Sequence, residues 1–243
     1  MLWDAHILIP VGIAAVLVGF SKSGLPGLGI LVVPLMAHAF PARDSVGVLL
    51  PMLIVGDVLA IARYRRDAQW RKLLGLLPYV VLGMIPAAIA LVLLDNESMR
   101  PVLGCLILAL LVLEGLRARF GWTNLPHHPL FVGGIGAFAG IATTIGNAGG
   151  PVMHLYFLSR GFEKRAFVGT AAWFFFVVNC SKVPLYLHLG MITDQTVFLN
   201  LSMVPLIAAG AWLGSRLLPV IPQQAFNMIV LALAGLAAMG LLL

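Results

Sequence analysis

The stretch GFSKSGLPGLGILVVP, residues 19–34, interrupts a long apolar run with a lysine, two serines and four glycines. Glycine weakens a helix, and a lysine is costly to place among apolar side chains. A second stretch of the same kind, TTIGNAGGP, follows at residues 143–151. Such breaks have a specific meaning in a membrane, because lipid offers the freed backbone groups no hydrogen-bond partner.

The composition indicates a membrane protein. Of the 243 residues 61% are apolar and 10% are charged, with a mean hydropathy of +1.03. A soluble domain carries about 25% charged residues, so this chain cannot cover a core with a polar surface. Runs of about 20 apolar residues, the length that spans a bilayer, lie near residues 5–21, 45–62, 73–94, 99–116, 130–145, 166–187, 197–215 and 225–243. We predict an all-α polytopic membrane protein.

Positive charge is concentrated in a few loops. Five of the fifteen Lys and Arg residues lie in RYRRDAQWRK at 63–72, and Arg117 and Arg119 lie in a polar segment. This is the positive-inside pattern of cytoplasmic loops, so we expect a multi-pass protein of a prokaryotic plasma membrane. No basic soluble face for nucleic acid is predicted. The N-terminal MLWDAHILIP has no basic region and is expected to start the first span, without a cleaved signal peptide.

The sequence matches itself at an offset of 122 residues. The identities between residues 24 and 64 are Gly24/Gly146, Gly27/Gly149, Phe40/Phe162, Arg43/Arg165, Val46/Val168, Gly47/Gly169, Val55/Val177 and Tyr64/Tyr186. The glycine break, the next helix and the apolar spans stay in register. We predict a first repeat at 1–117, a polar linker at 118–129 and a second repeat at 130–243, each with about five segments and a short helix of about 12–15 residues.

The two repeats are predicted to have inverted topology. Loop 63–72 is basic, whereas the equivalent HLGMITDQ at 188–195 has no Lys or Arg and should lie outside. RGFEKR at 160–165 should lie inside with loop 63–72 and the linker. Each broken pair of helices leaves the membrane on the side it entered, whether it spans twice or re-enters. Equivalent loops therefore fall on opposite faces, as in transporters built from inverted repeats.

Paired breaks in two halves are the sequence pointer to a substrate site. Half-helix N-termini present free N–H groups and a partial positive charge, which favour an anion. Hydroxyl and amide side chains could replace water around a small oxyanion. The candidate anion-binding residues are Ser21, Lys22, Ser23, Gly24, Gly27, Thr143, Thr144, Gly146, Asn147 and Gly149.

Other interpretations of the same residues stay open. A carboxylate could neutralise Lys22 in place of a substrate, or Lys22 could extend to an interface. Glycines often serve only close helix packing, which is our interpretation of Gly136/Gly140 and Gly210/Gly214. Cys105 and Cys180 lie in apolar runs and are expected to be buried packing residues.

Three further polar residues lie within spans and could tune or couple the site. Asp57 and Asn179 are repeat equivalents, and Lys182 follows Asn179 by about one turn. We predict that Asp57 pairs with Lys182, and that Asp57 either carries a coupled proton or forms a structural ion pair. The aromatic run at 173–176 points in all directions around a helix, which favours lipid and packing contacts.

The chain resembles the sulfite exporter TauE/SafE family of membrane permeases. The resemblance is carried by GFSKSGLPGLGILVVPLM (19–36) and GIATTIGNAGGPVMHLYFLSRGF (140–162), followed by VGTAAWFFFVVNCSKVPLYLHLGMI (168–192) and LIAAGAWLGSRL (206–217). It implies a secondary transporter that exports small sulfur-containing anions such as sulfite or sulfoacetate.

The sequence leaves two other classes of function to weigh. An anion channel, or an uptake permease for another small anion, would need the same breaks. An intramembrane enzyme would need a concentrated catalytic set, whereas the ionisable residues here are spread over distant spans. We predict no enzymatic activity and no cofactor, and there is no GxxxxGK[ST] phosphate loop for ATP. The expected partners are a small anion, the lipid bilayer and protons as a candidate coupling ion, with a homo-oligomer left open.

Overall fold

The computed structural model describes residues 3–24, 29–120 and 128–217. These residues form helices and connecting turns, with no strand among them. The helices are α1 (Ala5–Ser23), α2 (Gly29–Ala39), α3 (Ala42–Tyr64), α4 (Trp70–Leu74), α5 (Leu77–Leu93), α6 (Asn96–Phe120), α7 (Pro129–Gly146), α8 (Gly150–Ser159), α9 (Lys164–His188) and α10 (Asp194–Leu217). The prediction of an all-α protein is confirmed.

Six of the described helices are long and apolar enough to cross a membrane. They are Ala5–Ser23, Ala42–Asp67, Asn96–Leu116, Pro129–Gly146, Arg165–His188 and Asp194–Arg216, and Leu77–Leu93 is a shorter apolar helix. The predicted last span, 225–243, lies outside the described residues. Many large apolar side chains point outward, as lipid contact requires; those of α5 are Val81, Leu82, Ile85, Ile89, Val92 and Leu93.

The two short helices that follow the breaks are half-length. Helix α2 has 11 residues and α8 has 10, slightly fewer than predicted. At 1.5 Å per residue each is about 15 Å long, which is half of a bilayer's apolar core of about 30 Å. Each follows a longer helix in the chain and packs against it, α2 against α1 and α8 against α7. Each break therefore places two helix ends inside the bundle.

Glycines bring the outer helices into backbone contact. Gly210 and Gly214 of α10 lie against the backbone of α1 at Val16 and Phe20. Gly140 of α7 lies against the backbone of α5 at Val80, and Gly136 lies against the Cβ of Tyr79, so a Cβ on either glycine would clash. The predicted packing role of these four glycines is confirmed, and α1 pairs with α10 while α5 pairs with α7.

The centre of the bundle is the contact between α3 and α9. Gly47 near the start of α3 touches Met191 beyond the end of α9, and Gly169 near the start of α9 touches Tyr64 at the end of α3. The two helices therefore run antiparallel. Cys105 is exposed on α6 and Cys180 is partly exposed, so the prediction that both are buried was wrong.

Candidate functional site

A cavity lies where both breaks meet the central helices. Its volume is about 60 Å³, where a single water needs about 10–15 Å³ on the same measure. It can hold a few waters or one small ion. The lining residues are Val18, Ser21, Lys22, Gly29, Leu49, Leu53, Thr143, Asn147, Ala148, Gly150, Pro151, Met153, Phe157, Phe167, Val168, Ala171, Ala172, Phe175 and Asn179.

An ion pair borders this cavity. Lys22 Nζ, near the end of α1, lies 2.6 Å from Oδ1 of Asp57 on α3. Asn179 Nδ2, on α9, donates to the other oxygen, Asp57 Oδ2, at 2.8 Å. Asp57 is fully buried, whereas the Lys22 side chain is 14% exposed. A buried carboxylate needs compensating partners, and Asp57 has one for each oxygen.

The ring of Phe175 lies beneath the Lys22 ammonium. Lys22 Nζ is 4.4 Å from the ring centroid, within the range of a cation–π contact. Phe175 also lines the cavity. Phe175 packs against the hydrophobic core, as expected for the aromatic run at 173–176, but its contacts with Lys22 and the cavity were not predicted. A consecutive aromatic run gives no signal of which ring faces a cavity, because its members point in all directions.

The second break is organised around a different lysine. Lys182 Nζ, on α9, donates to Thr143 O at 2.8 Å and to Asn147 Oδ1 at 2.6 Å, with Thr143 Oγ1 at 3.3 Å. Lys182 is buried at 1% exposure. These oxygens lie at the C-terminal end of α7, where the helix dipole also favours a positive charge. Lys182 thus caps the end of α7.

Asn147 shapes the turn between α7 and α8. Its backbone is left-handed, with φ of 52°, a conformation that asparagine tolerates better than most residues. Its side-chain Nδ2 donates to Val46 O on α3 at 2.8 Å. One residue therefore ends α7, receives Lys182 and ties the break to the central helix.

Tyrosines at equivalent positions anchor both breaks. Tyr186 donates its hydroxyl proton to Thr144 O at 2.7 Å, and Tyr64 donates to Ser23 O at 3.5 Å. The accepting carbonyl oxygens belong to the last turn of the helix before each break, Thr144 in α7 and Ser23 in α1. The identity Tyr64/Tyr186 had indicated a repeat, but its role as an anchor was not predicted.

The predicted pairing of Asp57 with Lys182 was wrong. Asp57 pairs with Lys22 of α1, and Lys182 is engaged by α7. Both lysines lie near the same carboxylate, and a lysine's flexible stem reaches several positions. Helical spacing alone could not select between them. Among the alternatives for Lys22, the carboxylate partner is the one observed.

The predicted site residues divide into three groups. Those that line the cavity are Ser21, Lys22, Thr143, Asn147 and Asn179. Those that lie in the surrounding structure are Ser23, Gly24, Asp57, Thr144, Gly146, Gly149 and Lys182. Gly27 lies outside the described residues.

The break glycines contact protein and not the cavity. A Cβ on Gly24 would meet the carbonyl oxygen of Gly214 at 2.7 Å, and one on Gly146 would meet Leu106 at 3.0 Å. A Cβ on Gly149 would meet Thr143 at 3.0 Å. In the described residues these glycines therefore serve close packing around the breaks. Gly29 and Gly150, at the first residues of α2 and α8, are the glycines that line the cavity.

A family comparison agrees with this architecture. The model of the family described as "Sulfite exporter TauE/SafE" matches residues 11–241, nearly the whole chain. The chain belongs to the sulfite exporter TauE/SafE family. It has no significant match among curated proteins or among solved structures. With the apolar helices, the family assignment makes the chain a multi-pass membrane transporter or permease for sulfur-containing anions.

Proposed function

We propose that this TauE/SafE member is a secondary transporter that exports sulfite or small organosulfonates such as sulfoacetate by alternating access. The observation that carries the proposal is the convergence of both breaks on one cavity that Lys22 borders. We propose that Ser21, Thr143 and Asn147 donate to the anion's oxygens and that protons are the coupling ion.

The ends of the half-helices support an anion as the ligand. Gly29 starts α2 and Gly150 starts α8, and both line the cavity. The first N–H groups of a helix have no partner within the helix and carry partial positive charge. Together with the Lys22 ammonium they would give a mostly apolar cavity a few donors. A sulfite or sulfonate group presents three oxygens that could accept from them.

The packing supports an inverted repeat. At the offset of 122 residues, α1 corresponds to α7 and α5 to α10, so the α1–α10 and α7–α5 pairs are equivalents of each other. The equivalent helices α3 and α9 cross the bundle antiparallel. This reciprocity is what a pseudo-two-fold axis between the halves would produce. We propose that the repeats rock against each other around the cavity.

Charged groups support one orientation in a prokaryotic plasma membrane. Asp67 and Lys72 of the basic loop contact Arg165 and Arg160, respectively, from the 160–165 segment. These segments therefore share one face of the bundle, as the positive-inside rule requires for a cytoplasmic face. Met191, from the loop without Lys or Arg, lies against Gly47 at the opposite end of α3.

The proposal is tested by flux into proteoliposomes that contain the full chain. We expect saturable flux of sulfite or sulfoacetate, accelerated by a pH gradient and abolished in Lys22→Met. Lys72→Met, which removes an exposed lysine of α4, is the matched control and should keep wild-type flux. Flux without saturation would identify an anion channel. Saturable uptake with no export would favour an uptake permease, and no flux of either anion would overturn the substrate class.

A further inference from the structure

Lys22 lies between a carboxylate and a cavity. Its ammonium is 2.6 Å from Asp57 Oδ1 while part of its side chain faces the cavity. Asp57 itself is fully buried and does not line the cavity. An anion in the cavity can therefore reach the ammonium without displacing any helix, but it meets a lysine that already has a negative partner.

We propose that Asp57 and the transported anion compete for Lys22, so that an anion is bound only when Asp57 has taken up a proton. The inference rests on the proposed function and gives the proton a place in it. In the binding step a proton from water joins the Asp57 carboxylate, the ion pair opens, and Lys22, still an ammonium, receives the anion. On the other side of the membrane the anion leaves, the proton returns to water and the pair closes.

The charges around the cavity explain the competition. With the pair closed, Lys22 and Asp57 neutralise each other, and Lys182 is held by Thr143 and Asn147. An anion added to this state would place a second negative charge next to Asp57, and like charges a few ångströms apart disfavour each other. Proton uptake by Asp57 removes that repulsion and keeps the total charge constant. A monovalent anion then crosses with one proton and no net charge, so export follows the anion's own outward gradient and an inward proton gradient opposes it.

Asn179 lets Asp57 stay in place through this exchange. Asn179 Nδ2 donates to Asp57 Oδ2, the oxygen that does not face Lys22. Oδ1 is then the oxygen that loses the ammonium and takes the proton. Asn179 is also the repeat equivalent of Asp57. The first half therefore places an ionisable group where α3 meets α9, and the second half places a neutral one. One proton for each anion follows from this asymmetry.

Three titratable groups of the described residues interact with Asp57. Lys22 faces it from α1, and Lys182 and Cys180 interact with it from α9. Helices α2, α6 and α10 also pack against α3. Their ionisable residues with described side chains are His38 on α2; Glu97, Arg100, Cys105, Glu114 and Arg119 on α6; and Asp194 and Arg216 on α10.

The test measures wild type and Asp57→Asn in proteoliposomes with radiolabelled sulfite or sulfoacetate, whichever the wild type carries. One assay follows exchange of the anion at equal pH on both sides, and the other follows accumulation driven by a pH gradient. For wild type we expect the KM for exchange to rise about tenfold per pH unit on the alkaline limb, the slope for one linked proton. Asp57→Asn should keep exchange, show only the pH dependence of KM that the titration of the anion itself causes, and lose proton-driven accumulation. Asp67→Asn, at a partly exposed ion pair with Arg165, is the matched control and should behave as wild type.

Several outcomes would overturn the inference. A pH-independent KM in the wild type would do so without any substitution, so the test survives a variant that does not fold. Proton-driven accumulation retained by Asp57→Asn would place the proton on another group or on the anion itself. Loss of exchange in a folded Asp57→Asn would make the carboxylate part of the binding structure. If the wild type carries neither anion in either assay, the proposed function fails. If it carries one without pH dependence, this inference and the proposed proton coupling fail, whereas the proposed class of substrate stands.

Discussion

At the first break a lysine of the broken helix reaches out to a carboxylate on α3, whereas at the second break a lysine of α9 reaches into the broken helix. Lys22 has one charged partner, Asp57, and borders the cavity. Lys182 has oxygens of Thr143 and Asn147 around it and does not line the cavity. The first lysine can exchange its partner for an anion, while the second is built into the end of α7. Equivalent breaks thus have unequal tasks.

The largest effect is expected from Lys22→Met, which breaks the pair at the first break. The substitution leaves the Asp57 carboxylate buried without its ammonium, which costs about 3–5 kcal/mol of stability for a buried pair. Thermal unfolding in detergent measures this loss. In the double variant Lys22→Met/Asp57→Asn stability should return while anion flux stays absent. If the double variant lost as much stability as the two single variants together, the side chains would not act as a pair.

Lys182→Met should lower stability by less than Lys22→Met does, and it should weaken anion binding without abolishing flux. It leaves Asn147 Oδ1 without its donor, whereas Thr143 O still accepts from the backbone N–H of Asn147. An unsatisfied acceptor that is fully buried costs about 1–3 kcal/mol, and Asn147 is only partly buried, so the loss should fall at the low end of that range. We expect a lower unfolding temperature and a higher KM with saturable flux retained. Abolished flux in a stably folded Lys182→Met would mean that Lys182 contacts the anion, and the contrast between the two lysines would be lost.

The sequence predicted most of the helical fold because its signals are local. The apolar runs predicted the spans. The glycine clusters predicted the breaks, which lie directly before α2 and α8. The offset of 122 residues identified Asp57 and Asn179 as equivalents, and the structure joins them by a hydrogen bond. The sequence predicted that the helices of Asp57 and Asn179 meet, but the hydrogen bond between these two residues was not predicted.

The parts of the site that were missed depend on tertiary contacts. Gly24 was assigned to the anion site, but it packs on the backbone of Gly214. A glycine needed for a ligand and one needed for a neighbouring helix look identical in sequence. The choice of Lys22 over Lys182 by Asp57 depends on how α1, α3 and α9 are rotated. Helical periodicity in spans that are apolar on most faces does not report that rotation.

The equivalent glycines Gly24 and Gly146 differ in the rigidity of the neighbours against which they pack. The Cβ of an alanine at Gly24 would meet the carbonyl oxygen of Gly214 at 2.7 Å. Because this oxygen belongs to the backbone, relief of the clash would require α10 to shift. An alanine at Gly146 would meet the ends of the Leu106 and Leu103 side chains at 3.0 and 3.1 Å, which can rotate. We expect Gly24→Ala to lower the free energy of unfolding by about 1–2 kcal/mol and Gly146→Ala by less. Gly134→Ala, where nothing lies within 4 Å, is the control. Equal losses at Gly24 and Gly146 would contradict the difference in rigidity.

The smallest effect is expected where the two breaks are most alike, at the tyrosine anchors. Tyr186 donates to Thr144 O at 2.7 Å from a buried position, whereas Tyr64 donates to Ser23 O at 3.5 Å from a partly buried one. Tyr→Phe removes only the hydroxyl and leaves the ring packing in place. A buried neutral hydrogen bond contributes about 0.5–1.5 kcal/mol, so Tyr186→Phe should lower stability by about 1 kcal/mol and Tyr64→Phe by less. Because Thr143, the neighbour of Thr144, receives Lys182, loosening this anchor should also raise the KM in Tyr186→Phe. A larger change in Tyr64→Phe than in Tyr186→Phe, in stability or in KM, would place the more rigid break at α1 and reverse the assignment of tasks.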